Sequence, residues 1–168
     1  MCGDIDASAR ITRDRVTVLL TSILIVDDDE DVRNMLSLVL DSEGYQVEAV
    51  GNGKEAIKTC ERFHFDVAII DIELPDTKGT ELLDRMKKIR PRMIKIIITG
   101  HPSLESAMKA VNERADGYIL KPFEVADLLE LIKRLLTEKT DEYLRIYGEA
   151  MRAKENIPPI KYQNPDKW

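Results

Sequence analysis

Cysteine is scarce in this 168-residue chain, with Cys2 and Cys60 the only two. That excludes a disulfide framework. Histidine is equally rare, at two residues, and no Cys/His cluster has the spacing of a zinc site. Cys60 falls on an apolar helical face and reads as a small core residue. Positive charge is missing as a block. The 25 basic residues are outnumbered by 31 acidic ones, for a net charge of −6, and no basic run offers a footprint for a nucleic-acid backbone. A long hydrophobic run is missing as well. The apolar "VTVLLTSILIV" follows Arg10, Arg13 and Arg15 and superficially resembles a signal peptide. It is too short to span a bilayer and leads into "DDDED" with no small-residue cleavage site. A reducing cytoplasm, away from any membrane, is the expected setting.

What is present suffices for one core-bearing domain with extensions: 43% of residues are hydrophobic and 33% charged, an ordinary globular balance. From Ile23 onward, short apolar runs alternate with helical periods. "ILIV" (Ile23 to Val26) reads as a buried strand. Val32, Met35, Leu36, Val39 and Leu40 then recur at helical spacing, and Gly44 follows as a stop. "YQVEAV" alternates as a half-buried edge strand does. Ala56, Ile57, Cys60 and Phe63 form a second helical face, and "VAII" (Val67 to Ile70) a third strand. Leu82, Leu83, Met86 and Ile89 mark a third helix, ended by Pro91. "IKIII" (Ile94 to Ile98) is a fourth strand. Leu104, Ala107, Met108 and Val111 mark a fourth helix, and "YIL" (Tyr118 to Leu120) is a short fifth strand. Val125, Leu128, Leu129, Ile132, Leu135 and Leu136 mark a fifth helix. Five strands alternating with five helices imply right-handed crossovers and an α/β, doubly wound, five-stranded parallel sheet with helices on both faces.

Ligands of such sheets bind outside the carboxyl ends of the strands. Asp27 and Asp28 follow the first strand, Asp71 the third, Thr99 the fourth and Lys121 the fifth. Converging at one rim, three carboxylates repel one another and call for a cation. Oxygen-only ligands suit Mg2+. A hydroxyl and an ammonium at the same rim suit a phosphoryl group, and a carboxylate can accept one as nucleophile. Taken singly, each residue could be structural. Asp29 in particular sits where an N-cap belongs, with Glu30 and Asp31 in the first turn.

The segments "ILIVDDDEDVR", "VAIIDIELPDTKGTELL", "IKIIITGH" and "GYILKPFEVADLLELI", in this order and spacing, resemble the receiver domain of two-component response regulators over about Ile23 to Leu136. The resemblance implies a flavodoxin-like sheet of order 2-1-3-4-5. It implies that Asp71 accepts a phosphoryl group from a phosphohistidine of a sensor histidine kinase or histidine phosphotransfer protein. It further implies that Asp28 ligates Mg2+ directly, Asp27 acts through water, and Asp71 and the Glu73 backbone carbonyl complete the protein ligands. Lys121 would pair with a phosphoryl oxygen. Thr99 would close on the group, and Tyr118 would turn inward as Thr99 moves. The Lys121–Pro122 bond would be cis, and Pro75 and Gly79 match the family's loop. Glu73 and His101 hold the positions that tune phosphoryl-group lifetime. Where the family often has Pro and Gly, this chain has Glu30 and Asp76, and Asp76 is expected to bear on kinase docking.

Residues 1–22 are read as a polar, disordered extension, 23–136 as the receiver, and 137–168 as a helical extension and loose tail. No DNA-binding domain is expected after Leu136. Tyr143, Ile146, Tyr147, Ala150 and Met151 form an apolar stripe, weakened by Gly148 and ended by Pro158–Pro159. It either folds back on the core or extends the fifth helix toward a second protomer or another partner, and the continuing apolar phase favours extension. A phosphorylation-dependent homodimer is one such use. The expected function is a phospho-acceptor switch acting on a downstream protein, with no enzymatic activity beyond its own phosphorylation and dephosphorylation. The alternatives are a receiver segment of a larger regulator or hybrid kinase, and a haloacid dehalogenase-type phosphohydrolase. Against the latter stand Glu73 where that class needs an acid–base Asp, an acidic pair that precedes the nucleophile, and the want of a cap domain.

Overall fold

A computed structural model of the chain describes residues 21–100 and 115–155. Five strands form a parallel sheet: β1 (Ser22–Val26), β2 (Gln46–Val50), β3 (Val67–Asp71), β4 (Ile94–Thr99) and β5 (Gly117–Leu120), in the order β2-β1-β3-β4-β5. Four helices are described: α1 (Glu30–Ser42), α2 (Gly53–Arg62), α3 (Gly79–Ile89) and α4 (Val125–Glu155). The helix expected over Leu104 to Val111, and His101 before it, lie outside the described residues.

The central strands are near-continuous apolar runs, broken in β4 by the buried Lys95, because both of their faces are covered. Leu24, Val26, Ala68, Ile70 and Ile97 face α2 and α3, meeting Ala56, Ile57, Cys60, Leu82, Leu83 and Met86. Ile23, Ile25, Val67, Ile69, Ile96 and Ile98 face α1 and α4, meeting Leu36, Leu40, Leu128, Ile132 and Leu135. Each fully buried aliphatic side chain contributes about 1.5–3 kcal/mol over an exposed one. Edge strand β2 alternates between exposed and covered residues, as its sequence requires.

Two strands run one residue further than their apolar runs. Asp71 pairs with Ile98 in the β3–β4 register, and Thr99 pairs with Leu120 in the β4–β5 register. Both polar residues are therefore the last rungs of the ladder rather than the first loop residues, and backbone hydrogen bonds fix their positions.

Helix α4 is continuous for 31 residues, or about 46 Å at the α-helical rise. Its first half packs on the sheet through Leu128, Ile132 and Leu135. Beyond the domain, Tyr143, Leu144, Ile146, Tyr147 and Met151 are 42–56% exposed. The Tyr143 and Tyr147 rings stack at 6.2 Å. The helix runs on through this stripe; Gly148 costs about 1 kcal/mol without breaking it. Among the described residues, no helix is long and apolar enough to cross a membrane.

Ile97 is fully buried on β4, whereas Leu38 on α1 is 74% exposed. Ile97→Ala is expected to lower unfolding stability by about 3 kcal/mol. Leu38→Ala should change it by less than about 0.5 kcal/mol. Urea titration of the two variants checks both.

Candidate functional site

The carboxyl ends of β1, β3 and β5 bring three side chains into one polar contact. The Lys121 ammonium donates to Asp27 Oδ2 at 2.8 Å and to Asp71 Oδ2 at 2.6 Å. Asp27 is 3% exposed and Asp71 8%. Buried carboxylates at this depth need such partners. Lys121 directly follows β5, its bond to Pro122 is cis, and its backbone N–H donates to Thr99 O at 2.7 Å.

The remaining carboxylate oxygens are held from the backbone. Asp71 Oδ1 accepts from Glu73 N–H at 3.0 Å, and Asp27 Oδ1 accepts from Asp29 N–H at 2.9 Å. Asp28 is exposed beside them. Oxygens of Asp27, Asp28 and Asp71 lie within 4.8 Å of one another. This all-oxygen set, two members buried and one open to solvent, fits a hard divalent cation that keeps some of its water. Thr99 is fully buried at the end of β4. Tyr118 packs beside the α2–α3 face of the core. Its hydroxyl is buried, has no hydrogen-bond partner among the described residues, and is pushed up in pKa by that burial.

The electrostatics follow the geometry. Burial pushes the Asp27 carboxyl up, against the opposing pull of the Lys121 ammonium and the Asp29 N–H. Burial also works against the charge on Lys121, but its hydrogen bonds to Asp27 and Asp71 prevail and raise its pKa. The ammonium therefore stays charged through the physiological range.

Local sequence explains the frame. Asp29 caps α1, accepting from Asp31 N–H at 2.9 Å and Val32 N–H at 3.3 Å. A Cβ on Gly79 would lie 2.2 Å from Asp71 O and 2.9 Å from Ile72 Cα. Only glycine lets α3 start so close to the end of β3.

Two residues with a bearing on the site were not read from sequence as part of it. Arg33 donates from one guanidinium nitrogen to Asp27 O at 2.8 Å and Asp28 O at 2.9 Å, which fixes the loop bearing the acidic pair. The available signal was a basic residue near a helix N-terminus, where the dipole disfavours it. The second is Asp76, noted only as a departure from the family pattern. It turns onto the start of α2, accepting from Gly53 N–H at 2.9 Å and Lys54 N–H at 2.8 Å.

Comparison with known proteins agrees with this architecture. The family model of the response regulator receiver domain matches residues 23–133, and the chain belongs to that family. Receivers of this family are phospho-acceptor switches of two-component signal transduction. The DNA-binding transcriptional regulator NtrC of Azospirillum brasilense is 32% identical over 139 residues, covering 83% of this chain and 29% of that protein. A putative NtrX-like response regulator of Rickettsia bellii is 38% identical over 117 residues, covering 68% of this chain and 24% of that protein. The chain thus spans less than a third of these relatives. Among solved structures, a CheY-like receiver domain protein from Methanospirillum hungatei JF-1 superposes with a TM-score of 0.72 at 45% identity, covering 73% of this chain and 98% of the other. The beryllofluoride-activated NtrC4 receiver domain dimer superposes with a TM-score of 0.67 at 35% identity, covering 70% and 98%.

Removing the bridging ammonium leaves Asp27 and Asp71 buried face to face. The folded pKa of Asp27, already raised, then rises further above its unfolded value, so the defect is small near pH 4 and complete at neutral pH. Lys121→Met is expected to lose about 2 kcal/mol at neutral pH, less than a fully buried pair because the lysine side chain is 23% exposed. Urea titration at the two pH values tests this; an equal loss at both would contradict it.

Proposed function

We propose that Asp71 is the phospho-acceptor of this receiver, with Lys121, Thr99 and the acidic pair as its working partners. The single observation that carries the proposal is the Lys121 ammonium held between Asp27 and Asp71 at the ends of three strands. A carboxylate oxygen of Asp71 attacks the phosphorus of a phosphohistidine. The new bond is O–P, the N–P bond breaks, and the imidazole departs with its electron pair and takes a proton. Asp71 is oriented for this by the Glu73 N–H on one oxygen and Lys121 on the other.

A bound Mg2+ would neutralise charge on the phosphoryl oxygens. Asp28 would hold it directly, with Asp71 and the Glu73 backbone carbonyl, while Asp27 would hold its water. Once Asp71 carries the phosphoryl group, Lys121 has a stronger acceptor than a shared carboxylate. The Thr99 hydroxyl, fixed at the end of β4, closes on the same group. Tyr118 then moves inward and turns the chemical change into a change of surface. The buried Tyr118 hydroxyl, unpartnered among the described residues, supports a second available position for that ring. Glu73 and His101 govern access of the hydrolytic water.

The donor is a histidine kinase or histidine phosphotransfer protein, and the reader is a downstream protein. The chain's own catalysis is confined to gaining and losing the phosphoryl group. The exposed apolar stripe on α4 supports pairing with a second copy on phosphorylation. The NtrC4 receiver, which resembles this chain, is described as a dimer in its activated form.

Intact mass after incubation with acetyl phosphate and Mg2+ tests the assignment. One phosphoryl adduct on the wild type and none on Asp71→Asn is the expected result. Equal adducts on both proteins would remove Asp71 from the site.

A further inference from the structure

Helix α2 begins with three N–H groups that have no partner inside the helix. Its N-cap, Asn52, accepts from Glu55 N–H and so serves one of them. The other two, Gly53 and Lys54, donate to the two oxygens of Asp76, which lies more than 20 residues further along the chain. Asp76 sits in the segment that follows the acceptor strand. The segment is closed at its base by the Gly79 N–H donating to Ile72 O at 2.7 Å and by an antiparallel bridge between Glu73 and Lys78. Its tip is thus bound to α2, and its base carries the Glu73 peptide that orients Asp71.

The fit is close on both sides. A Cβ on Gly53 would lie 2.4 Å from Thr77 Cγ2 and 3.3 Å from Asp76 Oδ1. With Thr77 in place, a side chain at the first position of the helix would force the two apart or turn Thr77 aside. A carboxylate at a helix N-terminus gains from the dipole and from two charge-assisted hydrogen bonds. In keeping with this, the Gly53 N–H, followed by that of Lys54, holds the Asp76 carboxyl below the usual range. Asp76 was read from sequence only for a bearing on kinase docking; in the structure both of its oxygens are also engaged within the chain.

We propose that Asp76 is a positioning residue for the cation and phosphoryl site: it clamps the segment after β3 onto α2 and so holds the Glu73 peptide in place. The proposal rests on reading Asp71 as the acceptor and Glu73 as a backbone ligand. Asp76→Ala removes both acceptors. Gly53→Ala attacks the clamp from the other side, and Thr77→Ser deletes the methyl group that the new Cβ would strike.

The experiment measures Mg2+ affinity of the unphosphorylated protein by titration calorimetry, together with melting temperature and the rate of phosphorylation by acetyl phosphate. Asp76→Ala is expected to raise the Mg2+ dissociation constant about tenfold, the usual scale for loss of a group that orients a ligand. Gly53→Ala should shift it in the same direction, and Gly53→Ala/Thr77→Ser should recover toward the wild type. A fall in melting temperature with unchanged Mg2+ affinity and phosphorylation rate would mean that Asp76 is only a helix cap, and would overturn the proposal. A wild type that binds Mg2+ but takes no phosphoryl group would break the acceptor reading alone, leaving the clamp readable in the dissociation constants. A wild type that binds no Mg2+ would overturn both.

Discussion

The Lys121 ammonium between Asp27 and Asp71 is the contact on which the rest of the site depends. Two carboxylates buried at the carboxyl end of a parallel sheet repel one another. A single ammonium, delivered from the end of a third strand, gives an oxygen of each a charged partner. The three residues are far apart in sequence and stand at the carboxyl ends of β1, β3 and β5. Without the sheet order that puts β1 beside β3 and carries β5 over the same rim, the contact would not exist. Fold and chemistry are in this sense one constraint: the parallel sheet supplies a rim, and the rim needs a cation to be stable.

Around that contact the chain spends many polar groups on holding backbone still. Arg33 secures the carbonyls of Asp27 and Asp28. Asp29 caps α1 and donates its own N–H to Asp27. Glu73 N–H fixes one oxygen of Asp71, and Asp76 ties the following segment to α2. Each hydrogen bond is modest alone, but together they set carboxylate orientation in advance of any ligand. That lowers the reorganisation needed when charge arrives. Thr99 and Tyr118 are placed differently. Thr99 sits on the ladder, and Tyr118 carries a buried hydroxyl with no partner among the described residues.

Much of this was legible in the sequence because its signals are periodic or categorical. Apolar runs such as Ile94 to Ile98 and helical repeats such as Val32 to Leu40 mark their elements directly. The polar residues that interrupt them at Asp27, Asp71, Thr99 and Lys121 mark the rim. Strand ends were less legible: Asp71 and Thr99 belong to the ladder, because backbone pairing is indifferent to side-chain polarity. Arg33 and Asp76 were missed as site residues for a common reason. Both act through backbone atoms, Asp76 on a distant part of the chain and Arg33 on carbonyls of the preceding loop, and backbone partners leave no trace in residue type. The continuation of α4 could be favoured from the phase of Tyr143, Ile146 and Tyr147, yet only the structure shows that Gly148 does not interrupt it.

A structure of the protein with Mg2+ and beryllofluoride bound would test the central claim most directly. The account predicts the beryllium on a carboxylate oxygen of Asp71, the cation against Asp28, and the Lys121 ammonium moved onto a fluoride. It also predicts the Thr99 hydroxyl within hydrogen-bond reach of the same group. Beryllofluoride bound elsewhere, or bound to Asp71 with Lys121 still bridging Asp27 and Asp71, would contradict it.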